Sequence, residues 1–237
     1  MSNQNGCQCL ILAGGLATRL RLLTENIPKA MVLVEGKPFI EYQISLLKEF
    51  GITDIVLCIG HKGKMIKDYF KDGSNLGVRI TYSYEETQLG TGGAIRNAID
   101  ILNDNFIVLY GDAYLNIDYR KIIDFTEKDK CQALLTVFKN EGNFDTSNVL
   151  FKDKKFVLYD KDNPTPDMKY IDYGMSILSK SIIAEYIPSD TVYDLADCYN
   201  QLSKSNQLVG YEVKERFYEI GSFSGLEEFK SYIKAKS

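Results

Sequence analysis

The feature of this sequence that most restricts its fold is an alternation in the first half of the chain. Short apolar runs at residues 9–12, 54–59, 78–83 and 105–110 are separated by segments with helical spacing. Runs of this length, rich in Val, Ile and Leu and bounded by turn residues, read as strands. In PFIEYQISLLKEFG, Phe39, Tyr42, Ile44, Leu46, Leu47 and Phe50 form a broad apolar face; Pro38 suits a first helical turn and Gly51 a C-terminal stop. The same spacing predicts helices over 64–70 and 93–102. Strands separated by helices imply a mostly parallel sheet with right-handed crossovers, on which ligands sit beyond the carboxyl ends of the strands.

The pattern changes in the second half. Residues 132–138, 148–151, 155–159 and 171–178 read as strands joined by short connections, which predicts an antiparallel or mixed extension of the sheet. Helical patterns return at 181–186, 194–203 and 224–233, with a further strand at 208–213. No repeat, low-complexity tract or linker interrupts the chain, so the expectation is one domain over 1–237, with halves at 1–130 and 131–237. The expected fold class is α/β: a Rossmann-like, mostly parallel mixed sheet flanked by helices.

Composition excludes several classes of function. The 28 basic and 32 acidic residues give a net charge of −4, without the broad basic face that nucleic acid requires. No apolar run approaches the roughly 20 residues that span a bilayer, and MSNQNGCQC lacks the regions of a signal peptide, so no membrane partner and a cytoplasmic location are expected. The five cysteines are odd in number and there is one histidine, His61, which argues for reduced, mostly buried thiols over a zinc site.

The stretch LAGGLATRLRLLTENIPK, residues 12–29, concentrates positive charge in this acidic chain. Gly14 and Gly15 directly after a strand let the backbone approach a ligand, and Arg19, Arg21 and Lys29 add charge-assisted contacts, so the loop suggests a polyphosphate. Neither G-x-x-x-x-G-K-[ST] nor G-x-G-x-x-G is met here. Taken alone, the glycines read more readily as a plain turn and the basic side chains as solvated.

LAGGLATRLRLLTENIPKAM resembles the signature loop of sugar-1-phosphate nucleotidylyltransferases, usually G-G-x-G-T-R-L followed by P-K. The resemblance implies that Arg19 and Lys29 hold the nucleotide's phosphates, with Leu12, Ala13, Gly14, Gly15 and Thr18 lining the nucleotide. QLGTGGA resembles the family's loop approaching base and ribose, which implies Gly90, Thr91 and Gly92. LYGDAYL resembles the strand ending in G-D, which implies Gly111 beside the nucleotide and Asp112 as a metal ligand. YDKDNP resembles an E-K-P motif and implies Lys161 for the sugar phosphate and Asp160 for a sugar hydroxyl. IDYGMSI resembles a sugar-binding strand, implying Asp172 and Gly174. FYEIGS resembles W-x-D-x-G and implies Glu219 as the second carboxylate on Mg²⁺. On this resemblance the first half binds nucleotide and the second the sugar phosphate.

The chain departs from the family pattern at Ala17 for glycine, Leu22 for proline, and Glu219 for aspartate. The usual Y-G pair is absent around FDTSNV, where Asn148 is the candidate sugar contact. The implied reaction is NTP plus sugar 1-phosphate giving NDP-sugar and pyrophosphate. LGTGGAI looks nearest to guanylyltransferases acting on heptose or mannose 1-phosphate, implying GTP and a surface-glycan or capsule sugar. Thymidylyl-, uridylyl- and cytidylyltransferases share the scaffold and remain alternatives. A glycosyltransferase is a rival whose D-x-D is replaced here by Asp112-Ala113-Tyr114, and a non-catalytic nucleotide sensor is the alternative from another class. A homodimer is the default expectation for a chain of this kind.

Overall fold

A computed structural model describes residues 7–15, 24–140, 142, 144–153 and 155–236. The chain opens with β1 (Gln8–Leu12), a two-strand hairpin of β2 (Leu33–Val34) and β3 (Lys37–Pro38), helix α1 (Phe39–Glu49), β4 (Asp54–Ile59), α2 (Gly63–Phe70) and β5 (Arg79–Tyr84). It continues with α3 (Gly90–Asn97), β6 (Asn105–Tyr110), β7 (Ala113–Leu115), α4 (Tyr119–Asp129), β8 (Ala133–Lys139), β9 (Val149–Lys152) and β10 (Lys155–Tyr159). Then come β11 (Tyr170–Ser179), α5 (Lys180–Tyr186), α6 (Leu195–Lys204), β12 (Val209–Val213), β13 (Phe217–Glu219) and α7 (Phe223–Lys236). The class is α/β, as the alternation predicts.

These elements form two compact units that interleave along the sequence: Met1–Gln88, Leu109–Asn116 and Arg216–Ser237 in the first, Leu89–Val108 and Ile117–Glu215 in the second.

In the first unit β1, β4 and β5 run parallel, in register from Gln8↔Asp54 to Leu12↔Cys58 and from Asp54↔Arg79 to Ile59↔Tyr84. Helix α1 follows the sequence reading closely. It starts after Pro38 and is stopped by Gly51, whose φ of 76° continues the chain out of the helix. Leu10, Ile11, Phe39, Ile40, Ile44, Leu47, Ile55, Val56 and Leu57 are fully buried and form the core of this layer. A short antiparallel pair, β13 on β7, joins Glu219 to Ala113 in register. Behind it α7 contributes Phe229, whose ring lies 4.9 Å from Phe39, 5.0 Å from Tyr114 and 5.7 Å from Tyr42, while Tyr218 stacks on Tyr232 at 4.3 Å.

The second unit is the mixed extension. Strand β11 runs antiparallel to β8, β12 runs parallel to β8, and β9 and β10 form an antiparallel pair. Two buried hydrogen bonds tie it together, as polar groups in an apolar surrounding favour: the Tyr199 hydroxyl bonds to Ser176 Oγ at 2.7 Å and Thr136 Oγ1 donates to the Met175 carbonyl at 2.7 Å. Helix α4 is an element the sequence reading omits. Asp118 caps it by accepting from the Lys121 backbone N–H, and Tyr119, Ile122 and Thr126 form its buried face. Helix α3 begins three residues earlier than expected, and the remainder of the expected segment is the 3₁₀ turn Ile99–Ile101.

Cys9, Cys58 and Cys198 are buried thiols, consistent with the reduced reading; burial pushes the Cys198 thiol up to about 12. Among the described residues no helix is long and apolar enough to cross a membrane. Phe229→Ala removes the ring on which the aromatic cluster of the first unit converges. Urea unfolding is expected to report a loss of about 3–5 kcal/mol, the usual cost of emptying a large aromatic site.

Candidate active site

In the first unit the carboxyl ends of the strands carry the groups of interest. Where β1 ends, the Ala13 N–H donates to the Cys58 carbonyl at 2.9 Å and the Leu12 carbonyl accepts from Gly111 N–H at 3.0 Å. A methyl on Gly111 would lie 2.6 Å from the Leu12 carbonyl oxygen, so this crossing of backbone on backbone admits only glycine. Gly14 follows, and its hydrogen faces the carboxylate of Glu85; the same carboxylate would lie 2.9 Å from a side chain on Gly60. Glu85 is held there because its N–H continues the sheet to the Ile59 carbonyl at 2.9 Å. Among the described residues none comes within 4 Å of a side chain placed on Gly15.

The turn between β6 and β7 carries Asp112. The buried Gln43 amide on α1 fixes that turn from beneath, donating to the carbonyls of Tyr110 (2.9 Å) and Ala113 (2.5 Å). Lys29 Nζ meets Asp112 Oδ2 at 2.5 Å, with the lysine side chain 17% and the aspartate 39% exposed. On the neighbouring strand Glu219 is tied down at the start of α7, accepting from Gly221 N–H and, at 2.7 Å, from the Ser222 hydroxyl. The Gly221 Cα lies close enough to Lys29 that an added methyl would be 3.2 Å from its ammonium. The structure therefore brings Lys29, Asp112 and the Glu219 turn into one corner.

The second unit holds another connected group. Lys161 Nζ donates to Asp194 Oδ2 at 2.8 Å, and Asp194 Oδ1 accepts from Thr91 Oγ1 at 2.9 Å. The hydrogen bond to Asp194 raises the Lys161 ammonium above the ordinary lysine range, against the opposing effect of burial. For Asp194 burial pushes upward, but Lys161, the Ala196 N–H and Thr91 together hold the carboxyl below the usual range. Both shifts describe a charged pair. Next to Lys161, Asp160 Oδ1 accepts from the N–H groups of Asp162 and Asn163 in a tight turn, at 3.1 and 2.8 Å. Asn148 stitches this turn to β11: its carbonyl accepts from Asp160 N–H at 2.9 Å and its Oδ1 from Asp172 N–H at 3.2 Å. Asp172 in turn accepts from Gly174 N–H at 2.8 Å across a bulge where Gly174 takes φ 102°.

Lys161, Asp160, Asn148, Asp172, Gly174 and Thr91 are thus linked through short contacts in one unit, and Lys29, Asp112, Gly111, Glu219 and residues 12–15 lie together in the other. Gly90 and Gly92 have a packing reason as well. Tyr193 crosses them so closely that its carbonyl would lie 2.6 Å from a side chain on Gly90, and it accepts from Gly92 N–H at 2.9 Å. Thr18 and Arg19, with Ala17, Arg21 and Leu22, lie outside the described residues. Sequence reasoning did not single out Gln43, Glu85 or Asp194. Only Asp194 had a local signal, a capping residue before a helical run.

The model of the family described as nucleotidyl transferase matches residues 8–147, which include β1, the Lys29 segment and the Asp112 turn. This chain belongs to the nucleotidyl transferase family. It is 35% identical over 180 residues to the D-glycero-alpha-D-manno-heptose 1-phosphate guanylyltransferase of Campylobacter jejuni, covering 76% of this chain and 79% of that one. A UTP–glucose-1-phosphate uridylyltransferase of Synechocystis is 29% identical over 205 residues, which are 79% of this chain and 53% of the relative. Among solved structures, HddC from Yersinia pseudotuberculosis complexed with GMP-PN superimposes with a TM-score of 0.77 at 27% identity, over 96% of this chain and 99% of that one. The sugar-1-phosphate nucleotidylyltransferase assignment stands at family level, and relatives differ in the base they use.

For a nucleotidyl transferase the buried Gln43 is a support of the Asp112 turn with no route to substrate of its own. Gln43→Leu removes the donor from two carbonyls while keeping the side chain's bulk. We expect a loss of about 1–3 kcal/mol in urea unfolding, typical of a buried hydrogen-bonding group left without its partner, accompanied by slower pyrophosphate release.

Proposed function

We propose that the chain is a sugar-1-phosphate guanylyltransferase, converting GTP and a heptose or hexose 1-phosphate into GDP-sugar and pyrophosphate for surface-glycan synthesis. The observation that carries the choice of base is Glu85. Its carboxylate lies against the side-chain-free backbone of Gly14 and Gly60, at the ends of β1 and β4. A carboxylate only accepts hydrogen bonds, and it has two oxygens. Guanine offers N1–H and the N2 amino group side by side, a donor pair that a carboxylate meets with charge-assisted bonds. Uracil and thymine offer a single N–H between two carbonyls, which an ionised carboxylate would repel. The heptose guanylyltransferase of Campylobacter jejuni and the GMP-PN complex of HddC support the same reading.

In the reaction an oxygen of the sugar phosphate attacks the α-phosphorus of the nucleotide. The bond from that phosphorus to the bridging oxygen of the β-phosphate breaks, and pyrophosphate leaves with the electron pair. The attacking monoester is already anionic, so no protein nucleophile or strong base is required; the residues align anions and stabilise the developing charge. Lys29, with Arg19 from the signature loop, neutralises the departing phosphates. Lys161 binds the attacking phosphate, and Asp172 and Asp160 accept from sugar hydroxyls. The donor set of Asp112 and Glu219 fits Mg²⁺, which takes one or two carboxylates and completes its shell with phosphate oxygens and water. When bound, the ion supplies charge withdrawal from the phosphoryl oxygens. Asp112 and Glu219 would hold the ion, with Lys29 paired to Asp112 Oδ2 beside it.

A panel crossing four NTPs with glucose, mannose and heptose 1-phosphates, read by pyrophosphate release, tests the proposal. GTP is expected to lead. Nucleotide binding without turnover across the panel would favour a sensor instead. Glu85→Gln places an amide donor against the guanine amino group, and kcat/KM for GTP is expected to fall about 10²-fold, with a smaller loss for UTP. Lys161→Ala is expected to slow turnover about 10²-fold or more with an unchanged urea transition. Asp112→Asn is expected to raise the Mg²⁺ concentration needed for half-maximal rate.

A further inference from the structure

Asp194 has more partners than a helix cap requires. Its Oδ1 caps α6 by accepting from Ala196 N–H at 3.1 Å, a service that Ser, Thr or Asn performs equally well. The same oxygen accepts from Thr91, whose hydroxyl oxygen accepts in turn from Leu195 N–H at 2.8 Å. Oδ2 reaches Lys161 on the loop after β10. Only this last contact needs a negative charge. The segment bearing Asp194 is itself clamped to the start of α3: Tyr193 N–H donates to the Leu89 carbonyl at 2.8 Å, and its carbonyl accepts from both Gly92 and Gly93.

We propose that Asp194 is the positioning residue for Lys161, holding the ammonium in a fixed place relative to the Gly90–Gly92 loop before the sugar phosphate arrives. This rests on the reading of Lys161 as the ligand of that phosphate. The Lys161 side chain is 56% exposed, so without a partner its four-carbon stem samples many rotamers, and substrate binding has to order it. An ammonium carries three N–H donors. Asp194 occupies one and leaves the others for a phosphate. Exposed ion pairs contribute little to stability, so the pair has its effect on binding and rate.

Asp194→Asn separates the two services. The amide oxygen keeps the contacts to Ala196 and Thr91, while the amide NH₂ faces the ammonium and cannot pair with it. Steady-state kinetics of Asp194→Asn, Lys161→Met and the double variant, run with the fastest substrate pair of the crossed panel, test the proposal. Asp194→Asn is expected to raise KM for the sugar 1-phosphate about tenfold, to leave KM for the nucleotide within about twofold, and to unfold in urea as the wild type does. In the Lys161→Met background the same change is expected to have no further effect, because there is no ammonium to place. An Asp194→Asn enzyme with wild-type KM, beside an impaired Lys161→Met, overturns the positioning role alone. So does an equal loss in both backgrounds, which would mark a structural effect independent of Lys161. A Lys161→Met enzyme with unchanged sugar-phosphate kinetics, or a wild type inactive throughout the panel, overturns the sugar-phosphate reading and this inference together.

Discussion

Backbone closeness at the end of β1 is the constraint on which the Asp112 end of the first unit depends. Gly111 passes against the Leu12 carbonyl at a distance that no other residue tolerates, and Gly14 and Gly60 leave the Glu85 carboxylate the space that side chains would fill. The ends of β1 and β4 are therefore backbone packed on backbone and on the Glu85 carboxylate, with Asp112 one residue beyond the Gly111 crossing.

Each unit also carries a lysine held by an aspartate. Lys29 lies mostly buried against Asp112, and Lys161 is more exposed against Asp194. An ammonium that must meet a phosphate is flexible and strongly hydrated when free. A carboxylate partner orders it and leaves donors available for a ligand. The two pairs differ in what supports the aspartate: a buried glutamine under the turn for Asp112, a helix cap and a threonine hydroxyl for Asp194.

The strands of the first unit and helix α1 were legible because their signals are local: apolar runs with turn residues at their limits, and a proline and a glycine bracketing an amphipathic face. Helix α4 was equally legible in principle, since Asp118 stands one residue before Tyr119, Ile122 and Thr126, but its many charges dilute the pattern. Strands β7 and β13 are three residues each and find one another about a hundred positions apart, so no local window contains their pairing. The site divides in the same way. Lys29, Asp112, Lys161 and Asp172 sit in motifs that a sequence displays. Gln43, Glu85 and Asp194 act on groups far along the chain, and their roles emerge only when the fold brings those groups within reach. Asn148, expected to contact sugar, joins β11 to the Asp160 turn, a duty set by long-range pairing.

The chain has no tryptophan and sixteen tyrosines, and four of these, Tyr42, Tyr114, Tyr218 and Tyr232, cluster around Phe229 behind the Asp112 turn. Its near-ultraviolet spectrum is consequently free of indole, and a dichroic signal from stacked phenol rings originates in part next to the Lys29–Asp112 corner. A single indole introduced anywhere in the sequence would be the sole emitter of its kind, giving an optical label without background.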